Sequence, residues 1–195
     1  MPASEEKLST EERAELLRIA RKAIKERLEG KTWNPEESLT ERLARVQGAF
    51  VTLHEEGQLR GCIGYIVGIK PLYLTIAEMA RAAAFSDPRF MPLGPQEFDK
   101  IDIEITALSP LRKIDDPKEV EVGRHGLVVR RGQYQGVLLP QVPVEEGWDR
   151  ETFLAHTCMK AGLHSDCWQE EGTEFYIFIG EVFGEKSHPT HPLRG

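Results

Sequence analysis

Ala49-Phe50-Val51-Thr52-Leu53-His54-Glu55-Glu56-Gly57-Gln58-Leu59-Arg60-Gly61-Cys62-Ile63-Gly64-Tyr65-Ile66-Val67 reads as two strands, 49–54 and 59–67, around a tight turn at Glu56-Gly57. Both arms are apolar and β-prone, and an acidic residue followed by Gly is hairpin-turn chemistry. The second arm packs a thiol, a permanent cation and two glycines into Leu59-Arg60-Gly61-Cys62-Ile63-Gly64. Strand interiors avoid Gly, which loses entropy on folding and offers no side chain to pack. Two glycines around one cysteine therefore predict close approach of a ligand or of another backbone.

Side chains alternate along a strand. Arg60, Cys62, Gly64 and Ile66 are expected on one face, and Leu59, Gly61, Ile63, Tyr65 and Val67 on the other. Residues two apart lie roughly 7 Å apart, and a guanidinium at that range favours a thiolate. Gly64 leaves floor space beside the sulfur, and Gly61 admits an approach from behind. On this reading Cys62 is a nucleophilic or redox thiol, with Arg60 orienting an anionic group. The competing reading is a small buried cysteine whose glycines let a helix pack closely, since free Cys is among the most buried residue types.

Outward from the hairpin, Ser9-Thr10-Glu11-Glu12 has the form of a capping box. Leu16, Leu17, Ala20, Ala23, Ile24 and Leu28 follow at helical spacing, with Gly30 as a stop. Residues 31–35 read as a loop, and 36–46 are only weakly patterned. Pro71 opens a helix over 72–85, and Ala82, Ala83 and Ala84 let it sit close to a sheet. Asp87-Pro88 ends it. Residues 101–108 alternate as a half-buried strand, and 110–118 form a loop. Strands are expected at 126–131 and 135–139, a helix over 149–161 closed by Gly162, and one last long strand over 175–183. Residues 186–195 read as a tail. The fold class is α+β: one domain over 1–195 with a largely antiparallel sheet flanked by helices.

The 195 residues carry a net charge of −7, which disfavours nonspecific binding to nucleic acid or anionic membrane. The local basic run Arg124, His125, Arg130 and Arg131 has no aromatic platform and reads as a solvated turn. No apolar stretch approaches the ~20 residues of a membrane span. Three cysteines give no full disulfide framework, so reduced thiols in the cytoplasm are the simplest expectation. Neither the P-loop nor the dinucleotide glycine pattern stands at a strand-to-helix turn.

Other candidates carry two readings each. Asp87 and Arg89 pair locally and lock a turn around Pro88, or Arg89 reaches into a cleft. Glu104 is an exposed sheet carboxylate, or, if buried, a general base or a partner for Arg60 across the sheet. Gln141, after Leu138-Leu139-Pro140, sits at a strand's mouth and binds a carbonyl or a peptide edge, or makes a loop hydrogen bond. Trp148 is core or hinge. His156 and Cys158 lie about 200° apart on a helix, which argues against a shared zinc site with His164 and Cys167. His188 and His191 belong to the tail. A Cys-His dyad through His54 is disfavoured, because His54, opposite Leu59, is expected on the sheet face away from Cys62; His125 and His156 stay open as bases.

Phe50-Val51-Thr52-Leu53, Leu59-Arg60-Gly61-Cys62-Ile63-Gly64, Ala83-Ala84-Phe85, Asp87-Pro88-Arg89-Phe90 and Leu108-Ser109-Pro110 stand in a characteristic order. Gly126-Leu127-Val128, Leu138-Leu139-Pro140-Gln141-Val142, Glu146-Gly147-Trp148, Lys160-Ala161-Gly162-Leu163 and Trp168 continue it. In these segments the chain resembles the AMMECR1-domain family, known in prokaryotes as AmmeMemoRadiSam system protein A. The resemblance implies a two-lobed structure with the Arg-Gly-Cys-Ile-Gly segment near the cleft between lobes. It also implies association with radical-SAM and Memo-like proteins, and no established reaction. The expected function is an enzyme or enzyme subunit, with Cys62 as catalytic thiol and Arg60, Gly61, Gly64, Arg89, Glu104 and Gln141 binding a small-molecule or protein ligand. The alternative is a noncatalytic binding or scaffold domain. No metal or cofactor is expected.

Overall fold

Glu56 and Gly57 both adopt positive φ, 51° and 78°. That pair of left-handed residues is what a two-residue hairpin turn requires. The turn joins β1 (Ala49–Glu55) to β2 (Gln58–Tyr65) in antiparallel register, with Thr52 opposite Cys62 and Leu53 opposite Gly61. The computed structural model describes residues 7–38 and 40–186. The expected tail, with His188 and His191, lies outside the described residues apart from Lys186.

The chain forms two compact units. The first takes the residues up to Pro110 and resumes at Glu181. It opens with α1 (Thr10–Leu28), whose Ser9 and Glu12 make the expected capping box. It continues with the hairpin, α2 (Leu72–Phe85) and β3 (Ile101–Leu108). A later strand, β8 (Gly180–Gly184), completes a sheet in the order β2-β1-β3-β8. α1 and α2 pack on each other and on this sheet. Leu16, Ile19, Ile24, Ile76, Val51, Leu53, Ile103 and Ile105 are fully buried there. Burying a side chain of this kind contributes about 1.5–3 kcal/mol, which is why α1 and α2 need no strong propensity of their own.

The second unit spans Leu111–Gly180. Its elements are β4 (Arg112–Ile114), β5 (Gly126–Arg131), β6 (Tyr134–Leu138), the one-turn α3 (Val142–Glu145), α4 (Arg150–Lys160) and β7 (Glu174–Phe178). The sheet order is β4-β7-β5-β6, every neighbouring pair antiparallel. Leu127, Val129, Phe153, Leu154, Phe175 and Ile177 form its core. Asp149 caps α4 by accepting the Thr152 N–H.

The structure departs from the sequence reading at four places. The expected loop 110–118 holds β4 and a 3-10 turn (Pro117–Glu119). The expected strand 175–183 is two strands, β7 and β8, belonging to different sheets. β3 is not half-buried: all eight of its residues are buried, Asp102, Glu104 and Thr106 included. Finally, the cysteines of the second unit are not reduced. α4 and the 3-10 turn Cys167–Gln169 bring the Cα atoms of Cys158 and Cys167 to 5.9 Å, and the two are disulfide-bonded. Both are core residues of that unit.

Candidate functional site

The register of β1 with β2 slips by one residue between Leu53 and His54: Leu53 faces Gly61 but His54 faces Leu59. Arg60 is the extra residue of this bulge, and bulges re-aim side chains. Its guanidinium forks onto Glu97, with Nε donating at 2.8 Å and Nη2 at 3.2 Å. Nη2 also donates to the Met91 carbonyl at 3.0 Å. Arg60 thus pairs with Glu97 and not with Glu104, the partner that one of the two readings of Glu104 offered, and Arg60 holds the Glu97 carboxyl below the usual range for a glutamate. The bulge also revises His54. Counting along β1 from Thr52, which faces Cys62, His54 lies on the same sheet face as the thiol.

Both glycines are occupied by packing. A Cβ on Gly61 would sit 2.2 Å from the Ala83 carbonyl oxygen of α2, so the approach from behind is a helix backbone. A Cβ on Gly64 would meet the Phe50 ring at 2.4 Å. The floor space expected beside the sulfur is filled by that ring.

Cys62 is the chain's free cysteine and is partly exposed. β2 is an edge strand, and at Cys62 its outward backbone groups are taken by two side chains. Asp87 accepts the Cys62 N–H at 2.9 Å, and Arg89 Nη2 donates to the Cys62 carbonyl at 3.3 Å. The same Asp87 carboxylate accepts from Arg89 Nε at 3.0 Å, Nη2 at 2.8 Å and the Arg89 backbone N–H at 3.1 Å. Arg89 and these amides hold the Asp87 carboxyl far below the usual carboxylate range. Asp87 is 1% exposed and Arg89 46%. Asp87 and Arg89 thus pair within the turn, and the same pair holds the Cys62 backbone.

From the inner side, the Thr52 hydroxyl donates to Cys62 Sγ at 3.3 Å. Opposite Thr52 on β3 stands Glu104, 6% exposed. Cys62, Thr52 and Glu104 therefore form one row across β2, β1 and β3. Burial pushes the Cys62 thiol up, against the Thr52 hydrogen bond and Arg89, which pull it down; Asp87 and Glu104 add to the rise. The lowering expected from Arg60 is absent because that guanidinium is spent on Glu97. Thr106, two residues along β3 from Glu104 on the same face, is buried, and among the described residues its Oγ1 has no hydrogen-bond partner.

Sequence reasoning missed Thr52, Asp87 as a holder of Cys62, and Glu97. Thr52 carried a usable signal, a hydroxyl directly across the hairpin from the thiol. Gln141 is the residue before α3 in the second unit. Also in that unit, His156 stacks on Trp148 with ring centroids 3.8 Å apart. Two grooves there, of about 350 and 560 Å³, share Pro117 and Trp168 in their walls. None of the candidate residues lines either one.

An α+β chain in two units, with a single free thiol set in a buried polar row on one sheet, is the class that fold and site define. The AMMECR1 family model matches residues 17–183. A protein of Methanopyrus kandleri is 48% identical over 97% of this chain and 95% of its own length. One of Aquifex aeolicus is 45% identical over 88% of this chain and 92% of its own. A crystal structure of an uncharacterized protein from Pyrococcus horikoshii matches with a TM-score of 0.70 at 44% identity, covering 88% of this chain and 90% of that one. The chain belongs to the AMMECR1 family.

Proposed function

We propose that this chain is an enzyme or enzyme subunit whose working group is the Cys62 thiol. The observation that carries the reading is the row Cys62–Thr52–Glu104, a partly exposed thiol with a hydroxyl donor on its sulfur and a buried carboxylate beyond it. Arg89 takes the anchoring role first assigned to Arg60, because it is the exposed cation beside the thiol. Cys62 rests protonated near neutrality. It turns nucleophilic when its proton leaves to solvent; the sulfur then adds to a carbonyl carbon, the C=O π pair moves onto the carbonyl oxygen, and Arg89 is the cation beside that oxyanion. The ligand class is a small molecule or protein segment bearing a carbonyl and an anionic group. The family resemblance supplies the wider setting, a modification pathway shared with radical-SAM and Memo-like partners. A cytoplasmic location is compatible with the disulfide, because Cys158 and Cys167 are buried away from thiol reductants.

The second reading, a noncatalytic scaffold, is favoured by one specific fact: Arg60, Gly61 and Gly64 are all consumed in packing and ion pairing. Alkylation of the folded chain by iodoacetamide, read by intact mass, separates the two. The enzyme reading expects slow labelling at neutral pH that accelerates as pH rises past the ordinary thiol range and the thiolate forms. A folded chain that stays unlabelled throughout, while the urea-unfolded chain labels at once, overturns it in favour of the scaffold.

A further inference from the structure

We infer that Thr52 and Asp87 are positioning residues for Cys62, Thr52 setting the sulfur and Asp87 setting both the backbone beneath it and the cation beside it. This rests on the reading of Cys62 as the working thiol. The geometry begins with the direction of the Cys62 backbone. Its N–H and carbonyl point off the sheet edge, to Asp87 and Arg89. Thr52 and Cys62 therefore form a pair without mutual backbone hydrogen bonds, the kind in which facing side chains stand closest. That closeness lets the Thr52 hydroxyl reach Sγ at 3.3 Å. Thr52 is 2% exposed in the middle of a central strand, a setting that favours β-branched apolar residues such as valine. Its hydroxyl is thus turned to the sulfur at a site that packing alone would leave apolar.

Asp87 works from the other side. One carboxylate accepts both the Cys62 N–H and the Arg89 fork. The cation and the sulfur are consequently fixed to a common point, and neither moves without breaking a bond to a carboxylate that is 1% exposed. A side-chain pair standing where a fifth strand would lie also caps the edge, so a purely structural role is the rival account. The charged and titratable groups set about Cys62 are Asp87, Arg89 and Glu104, with His54 and Asp102 in the next row of the same face.

The pH profile of alkylation distinguishes positioning from edge-capping. The experiment uses the full oxidised chain, in which Cys62 is the one free thiol, with iodoacetamide as probe and intact mass as readout. Thr52→Val removes the donor and moves the profile to higher pH, slowing labelling at pH 8 about five-fold, the worth of one ordinary hydrogen bond. Thr52→Ser restores the rate to within about two-fold. Arg89→Gln moves the profile the same way, and Arg89→Lys, which keeps the charge but loses the fork that Asp87 grips, falls between. Thermal melts of each variant confirm folding, and the two conservative variants carry the comparison if either of the others fails to fold. A Thr52→Val profile that superimposes on the wild type overturns the inference while leaving Cys62 reactive. A wild-type Cys62 that never labels in the folded chain overturns the underlying reading instead.

Discussion

Glu104 is the carboxylate whose burial changed its meaning. The alternation of β3 marked it as polar and outward, yet it is buried opposite Thr52 and adds to the rise of the Cys62 thiol. The sign of its effect follows directly. Removing a nearby negative charge stabilises the thiolate, so Glu104→Gln lowers the Cys62 pKa and speeds alkylation at pH 7.5 severalfold. An unchanged rate shows that the Glu104 charge does not reach the thiol. The raised thiol also bears on stability. Its folded pKa lies above the unfolded value, so this contribution is full below about pH 8.5 and is lost as pH rises through the folded value. At this level the sequence was a fair guide to which residues stand near Cys62 and a poor guide to their partners. Cys62, Arg89 and Glu104 do come together, whereas Arg60 turns to Glu97. The reason is the bulge at Arg60, which depends on the register between two strands and on nothing local to either. The Phe50 ring over Gly64 was equally invisible, since a glycine's void and its filler lie on different strands.

Among the elements, the hairpin and α2 were the most legible, because Glu-Gly turn chemistry and an alanine-rich helix are local signals. Gly61 shows how the two depend on each other. The Ala83 carbonyl lies where a side chain at position 61 would begin, so Gly61→Ala must push α2 off the sheet. We expect a loss of about 3 kcal/mol in urea unfolding, at the upper end for overpacking. A variant as stable as wild type shows that α2 has room to slide, which its fully buried Ile76 and Ala80 argue against. The elements that escaped prediction are those with no periodic signal. β4 is three residues long, and β7 and β8 are separated by the single residue Ile179, so an apolar run that changes sheets reads as one continuous strand.

For the chain taken entire, the α+β class was readable from the succession of elements, while the Cys158–Cys167 bond was not. Nine residues apart, with a histidine beside one of them, the pair read as a rejected metal motif. Only the return of the 3-10 turn onto α4 brings them together. Closing a loop of this size is worth about 2.5 kcal/mol on the chain-entropy account. The double variant Cys158→Ala, Cys167→Ala should therefore lower the melting temperature of the second unit by roughly 10 °C, measured by calorimetry. An unchanged transition shows that the core around Phe153 and Phe175 holds α4 unaided. The second unit also interrupts the first. β8 adds to the free side of β3, and Glu185 beside it takes the Ile103 N–H and pairs with Arg21 of α1. During synthesis, β3 leaves the ribosome some seventy residues before the strand that closes its edge, about 4–14 s at ordinary elongation rates. The first unit thus spends its earliest moments as an open three-stranded sheet with β3 at its border. The nascent chain must tolerate that bare edge until its last strand arrives.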